Sequence, residues 1–194
     1  MKIGIISDTR AGSGEEVPHE VARAFEGVDR IFHAGGIHSK EVLDWLERVA
    51  PVTAAARLEG GQAEQPQPFM LEVPGDPRVA ETHILELEGQ TIGMTNEIWL
   101  PRLSDEVMPG AIGRQRLPDQ LLTQMVTDFF ERPVDIVVFG RTLYAMVEEH
   151  EGILFINPGS PSLPKNVRKL GQVAILELED GKREARVVEL SELS

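Results

Sequence analysis

The chain alternates between short apolar runs and amphipathic stretches, and their order predicts its architecture. Residues 2–7 form an apolar run closed by Asp8, the pattern of a buried strand. Pro18 suits a first helical turn, and Val21, Ala22, Phe25 and Val28 follow it at helical spacing. Residues 29–33 predict a second strand, broken by Ala34-Gly35-Gly36. Ser39 is placed to cap a helix that carries Val42, Leu43, Leu46 and Val49 on one face. Residues 51–56 predict a third strand. A β-α-β-α-β run of this kind requires parallel strands with helices packed on the sheet faces.

The remainder changes character. Residues 60–80 carry paired glycines and several prolines and predict a surface excursion. Residues 82–87 and 90–95 flank Glu88-Gly89, a hairpin signal. Residues 98–117 predict an irregular stretch, with Pro101, Pro109, Gly110 and Gly113. Pro118 then opens a helix with Leu121, Leu122, Met125, Val126, Phe129 and Phe130 on one stripe. Residues 134–139 predict a buried strand ending at Gly140, and 143–147 and 153–156 two short strands. Residues 172–178 and 183–190 predict a hairpin around Asp180-Gly181. The fold class is therefore α/β: a two-sheet α/β sandwich with mixed parallel and antiparallel strands and flanking helices, one domain over residues 1–194.

Composition narrows the function classes. The chain has 194 residues and a net charge of −13, which argues against a nucleic-acid or acidic-membrane surface. Its 41% apolar content can fill one core. No apolar run approaches the ~20 residues that span a bilayer. The opening run meets a charge too soon for a signal peptide. The absence of Cys excludes disulfides and thiolate metal sites and makes a reducing cytoplasm the expected location.

In open α/β sheets, ligands bind where strands end and loops begin. Those ends are Asp8-Thr9-Arg10, Gly35-Gly36, Arg57-Leu58-Glu59, Asn96-Glu97, Gly140-Arg141-Thr142 and Asn157-Pro158-Gly159-Ser160. Other chemistry is missing. Gly12-Ser13-Gly14 lacks the Lys and spacing of a phosphate-cradling loop, and no Ser is flanked as in Gly-x-Ser-x-Gly.

These ends carry a resemblance. The opening strand through Asp8-Thr9, then Ile31-Phe32-His33-Ala34-Gly35, Val137-Val138-Phe139-Gly140 and Ile156-Asn157-Pro158-Gly159-Ser160 occur in the order found in the calcineurin-like metallophosphoesterases. The chain most resembles their small single-domain branch, which holds phosphodiesterases and the retromer scaffold subunit. The resemblance implies the family's two-sheet fold and a site for two metal ions. It implies ligands from an Asp-x-His pair, a bridging Asp, an Asn and three His.

The departures from that pattern are as informative as the matches. The His of the Asp-x-His pair is Arg10, the bridging Asp is Gly36, and the Asn falls on Leu58. The next His falls on Asn96, and the two His of the Gly-His-Thr-His motif fall on Arg141 and Leu143. Asp8 alone is kept. Arginine has no lone pair to give a metal, and without the bridging carboxylate nothing holds two cations ~3.5–4 Å apart. Of the five His, at 19, 33, 38, 83 and 150, only His33 and His38 lie near a site loop. His33 is expected as a hydrogen-bonded scaffold residue and His38 as an exposed residue at a helix start.

Two readings follow. In the first, the protein is a non-catalytic binding or scaffold domain with no cofactor. Asp8, Arg10, Arg57, Asn96 and Arg141 then form a charge cluster where the metals would sit. The arginines either satisfy Asp8, Glu59 and Glu97 or make a pocket for a small phosphate-like anion. Two guanidiniums beside one carboxylate leave a net charge near +1 unless Glu59 and Glu97 turn inward. The partner is a small anion or a protein, with Trp99 either an exposed anchor or folded over the site. In the second reading the protein is an active phosphodiesterase. It then uses Mn, Zn or Mg at a substitute site, such as a mononuclear one from Asp8, His38 and Asn96.

Overall fold

The first apolar run becomes β1 (Lys2–Ile6), and its side chains alternate between two cores. Ile3 and Ile5 face one, and Ile6 faces the other. The computed structural model describes residues 1–56, 75–103, 106–163 and 166–193. After β1 come α1 (Glu20–Ala24), β2 (Arg30–His33), α2 (Lys40–Glu47), β3 (Val52–Ala55) and β4 (Val79–Ala80). Strands β1 to β4 run parallel to one another, as the early alternation of strand and helix requires, while on its other side β1 pairs antiparallel with residues 174–177. Ser39 caps α2 by accepting the Glu41 N–H. Both prolines open helical turns: Val21 donates to the Pro18 carbonyl, and Leu121 to that of Pro118.

The second half supplies β5 (Thr82–Leu87), β6 (Gln90–Thr95), α3 (Ala111–Arg114), α4 (Leu121–Phe130) and β7 (Ile136–Val138). Then follow β8 (Met146–His150), β9 (Ile153–Asn157), β10 (Ser162–Leu163), β11 (Asn166–Leu170), β12 (Gln172–Glu179) and β13 (Lys182–Glu189). One sheet has the order β13-β12-β1-β2-β3-β4 and the other β5-β6-β7-β9-β8, with β10 and β11 as a separate pair. Strands β6, β7 and β9 are parallel, and hairpins add the antiparallel edges.

Alternation along each strand builds four layers. Ile3, Ile5, Phe32, Ile92, Ile136 and Val138 fill the space between the sheets. Ile6, Ile31, Phe25, Val42 and Leu46 join the first sheet to α1 and α2. Val137, Phe139, Phe155, Val126 and Phe130 join the second sheet to α4. This is the two-sheet α/β sandwich that the sequence predicts.

The differences are local. The strand expected at 143–147 runs instead over β8, because Arg141 and Leu143 have φ of 68° and 66°, which no strand accommodates. His150 accordingly ends β8 instead of lying in a turn, and its ring meets Glu148 at 2.8 Å. The irregular stretch 98–117 contains α3. Residues 60–74 of the expected excursion lie outside the described residues. Its last part carries β4 and Arg78, whose guanidinium donates to Asp76 at 2.6 Å and to Asp44 of α2 at 2.7 Å. Among the described residues no helix is long and apolar enough to cross a membrane.

Candidate functional site

Five loops meet at one edge of the sandwich because the strands that precede them are parallel within each sheet. Asp8-Thr9-Arg10 follows β1, Gly35-Gly36 follows β2, Asn96-Glu97 follows β6, and Gly140-Arg141-Thr142 follows β7. Asn157 ends β9 and leads into Pro158-Gly159-Ser160.

Hydrogen bonds sew the two sheets together here. Arg141 N–H donates to Asp8 Oδ2 at 2.8 Å, and Asn96 Nδ2 donates to the Ala34 carbonyl at 3.1 Å. Ser7 Oγ donates to Gly159 O at 2.8 Å, and Ser160 Oγ to Asp8 O at 3.0 Å. The loop ends approach so closely that a β-carbon on Gly140 would lie 2.3 Å from the Ala34 carbonyl oxygen. Asn157 is fully buried and locks the neighbouring turn. Its Nδ2 donates to Gly140 O and to Thr142 Oγ1, each at 3.0 Å, and its Oδ1 accepts the Gly159 N–H at 3.0 Å.

Asp8 is the centre of this arrangement. Its side chain is 3% exposed, and its backbone is left-handed, with φ of 52°. Its amide donates to Gly35 O at 2.7 Å. Oδ2 is taken by the Arg141 N–H, and Oδ1 accepts from Arg10 Nη2 at 3.3 Å. Burial pushes the Asp8 pKa up. The Arg141 N–H, the Arg10 charge and Ser7 pull it down, and burial prevails.

The Arg141 guanidinium turns away from Asp8. Its Nε contacts Glu97 Oε1 at 2.7 Å. The charges that the sequence places in one cluster thus pair off among the described residues, Asp8 with Arg10 and Glu97 with Arg141. Arg57, with Leu58 and Glu59, lies outside the described residues.

His33 is fully buried behind the β1 loop, with Nε2 3.2 Å from Thr9 Oγ1 and Nδ1 without a partner. Burial lowers its pKa to about 3, so the ring is neutral. His38 is not the exposed residue that its place before Ser39 predicts. It is partly buried and hydrogen-bonded to the Arg10 backbone, and burial together with the Arg10 charge lowers its pKa. Its position two residues after Gly36, at a site loop, was the available signal. Ser160 belongs to a strand end that the sequence marks, but a hydroxyl has no sequence signature for an inter-sheet bond, so the bonding roles of Ser7 and Ser160 appear only in the structure.

The donor set does not fit a two-metal centre. Such a centre needs several carboxylates and imidazoles that converge on two bridged cations. Here the Asp8 oxygens face a guanidinium and an amide N–H, and the neighbouring Arg10 and Arg141 side chains have no lone pair to give a metal. Among the described residues no group of three or more His, Cys, Asp and Glu is placed to hold a metal ion.

The 98–117 stretch borders this edge. Glu106 and Val107 line a narrow cleft of about 10 Å³ with Gly140, Arg141 and Thr142. Ile98 and Leu100 are buried, while Trp99 between them is 67% exposed.

The chain matches a family model described as the calcineurin-like phosphoesterase superfamily domain over residues 1–181. It is 31% identical to a probable metallophosphoesterase of Methanocaldococcus jannaschii, over 99% of this chain and 83% of that one. It is 28% identical to one of Methanothermobacter thermautotrophicus, over 97% of this chain and 92% of that one. Among solved structures, a novel archaeal phosphodiesterase superposes with a TM-score of 0.61 at 20% identity, covering 97% of this chain and 100% of that one. Vps29 of Entamoeba histolytica, complexed with zinc, gives a TM-score of 0.59 at 16% identity, covering 98% and 99%. The likeness to these structures is one of fold.

Proposed function

Since the chain belongs to the calcineurin-like phosphoesterase superfamily, we propose that it keeps the fold of that family without the two-metal reaction. It then serves as a non-catalytic binding or scaffold domain. Fold alone does not assign an activity, so the reading rests on the site. The observation that carries it is the occupation of Asp8. One carboxylate oxygen accepts from Arg10 and the other from the Arg141 N–H. A cation bound at Asp8 would have to displace both donors and sit beside the Arg10 charge.

The same pairing bears on a phosphate-like pocket. Arg10 and Arg141 each face a carboxylate, so among the described residues these two guanidiniums leave no surplus positive charge to attract an anion. We take the cluster as a brace between the two sheets.

Elemental analysis after dialysis, with aryl phosphodiester assays in added Mn²⁺ or Zn²⁺, tests the proposal. The expected result is no stoichiometric metal and no turnover. The second reading, an active phosphodiesterase with a substitute metal site, is favoured by the relatives named probable metallophosphoesterases. One or two tightly held metals per chain with Asp8-dependent turnover would establish it and overturn the first.

A further inference from the structure

The outer edge of the first sheet is β13, and among the described residues no strand lies beyond it. Its ladder with β12 runs unbroken from Glu189 opposite Gln172 to Lys182 opposite Glu179. We infer that two copies of this chain pair along β13, antiparallel and about a two-fold axis at Ala185, so that the sheet of one copy continues into that of the other.

The backbone supplies the bonds. Residues of an antiparallel strand alternate between those that bond to the neighbouring strand and those that point away from it. Leu190, just past β13, donates its N–H to Gly171 O at 2.9 Å. By that alternation Val188, Arg186 and Glu184 bond to β12, and Arg183, Ala185 and Val187 direct their N–H and C=O groups off the edge of the sheet. Soluble proteins usually interrupt such an edge with a proline or a bulge, or place charges that repel a second strand. β13 has no proline, no bulge in its pairing and no left-handed residue.

The charges select the occupant and the register. With Ala185 on the axis, Glu184 of each copy faces Arg186 of the other, so one attractive pair forms twice. Arg183 then meets Val187 and Lys182 meets Val188, and no like charges stand opposite each other. Moving the axis to Glu184 sets that residue against itself and Lys182 against Arg186. Moving it to Arg186 sets two guanidiniums face to face. Like charges directly opposite destabilise a ladder, and opposite charges support it. Glu184 and Arg186 are exposed, and in the new ladder they occupy the non-bonded positions, where facing side chains come closest. Arg186 is only loosely held within its own chain, 3.9 Å from the exposed Glu177. A two-fold interface presents the same patch on both sides, so a second copy brings this complementary order of charges with it. The inference uses no residue of the Asp8 centre and stands whether or not that centre is catalytic.

Sedimentation velocity of the whole protein tests it, at micromolar to hundreds of micromolar concentration. Salt of about 150 mM screens the repulsion between two acidic chains beyond about 8 Å. The 21.5 kDa chain is expected to pass reversibly to twice that mass as its concentration rises. Glu184→Arg and Arg186→Glu, each of which sets like charges opposite one another twice, should each weaken self-association at least about tenfold. An equimolar mixture of these two variants should associate again, because the two substitutions together restore opposite charges at both facing positions. Ala185→Pro removes an N–H that points off the edge, so it should fold and stay monomeric. Circular dichroism checks the fold of each variant, and if the proline variant does not fold, the charge variants on exposed side chains decide the matter. A protein that stays monomeric at every concentration overturns the proposal, even if it takes up other extended peptides. A dimer indifferent to both charge variants, or a mixture of the two that fails to associate, overturns it as well.

Discussion

A β-carbon placed on Gly36 would lie 2.7 Å from Asp8 Oδ1 and 2.6 Å from Asp8 Cα. Gly36 also has φ of 72°, a conformation that L side chains rarely adopt. The resemblance puts a bridging Asp at this position, yet the loop here closes directly against Asp8 and leaves no volume for a carboxylate. The absence of a ligand at position 36 is therefore built into the backbone path as well as into the side-chain identity.

Restoring the carboxylate should consequently fail. Gly36→Asp is expected to lower stability by about 2–5 kcal/mol, combining left-handed strain with a clash against Asp8, and to bring no metal. Gly36→Ala should lose a similar amount, because the β-carbon makes the clash. Urea unfolding measures both. A Gly36→Asp protein as stable as the parent would show that the loop has another path.

The arginine side chains should matter less than Asp8 itself. Those of Arg10 and Arg141 are 43% and 45% exposed, so Arg10→Leu and Arg141→Leu should each cost about 0–1 kcal/mol. Asp8→Ala strands the Arg141 N–H and should cost about 1–3 kcal/mol. Thermal melts in 10 mM phosphate should match melts in chloride of equal ionic strength. A clear upward shift confined to phosphate would restore the anion pocket and refute the neutral brace.

How much of this was readable beforehand depended on whether the information was local. The strand ends were legible because apolar runs stop at Asp8, Gly35, Asn96 and Gly140. Turns at Glu88-Gly89 and Asp180-Gly181, with φ of 48° and about 75°, announced themselves by sequence. Glu151-Gly152 makes the same turn, with φ of 48° and 76°, but the left-handed Arg141 and Leu143 delay β8 and no residue type signals them. The pairing of Arg141 with Glu97 instead of Asp8 is a matter of rotamers across two loops, which spacing does not encode. His38 turns back on Arg10 for the same reason.

Buried His33 should make the protein less stable in mild acid. Its pKa falls from 6.5 in the unfolded chain to about 3 in the folded one. Between those values the unfolded chain takes up a proton that the folded protein refuses, so stability falls as pH falls, by up to about 1.4 kcal/mol per pH unit. The lowered His38 pKa acts in the same direction. Asp8 acts in the other, because its raised folded pKa favours the protonated native form as pH drops. Urea unfolding between pH 7.5 and 5 should show the decline, and His33→Gln should flatten its slope. An unchanged slope in that variant would remove His33 as the cause.

The last prediction concerns Asn157, where one atom separates two outcomes. Its amide nitrogen donates to Gly140 O and Thr142 Oγ1 while its oxygen accepts from Gly159. Asn157→Ala removes all three bonds and leaves buried groups without partners, at about 1–3 kcal/mol for each group so exposed. Asn157→Asp keeps the shape and the Gly159 bond but sets a carboxylate oxygen against the Gly140 carbonyl, in a place with no exposure. An ionised carboxylate there is costly, so at pH 7.5 the Asp variant should be less stable than the Ala variant despite its better fit. Its folded pKa is then raised, and the native form gains stability as pH falls, because the protonated acid can donate to Gly140 O. The order of the two variants should reverse near pH 5. Both carry the same His33 background, so the difference between them isolates position 157. Equal stability at pH 7.5, or a gap that does not change with pH, would mean that the turn opens to water and that Asn157 does not lock it.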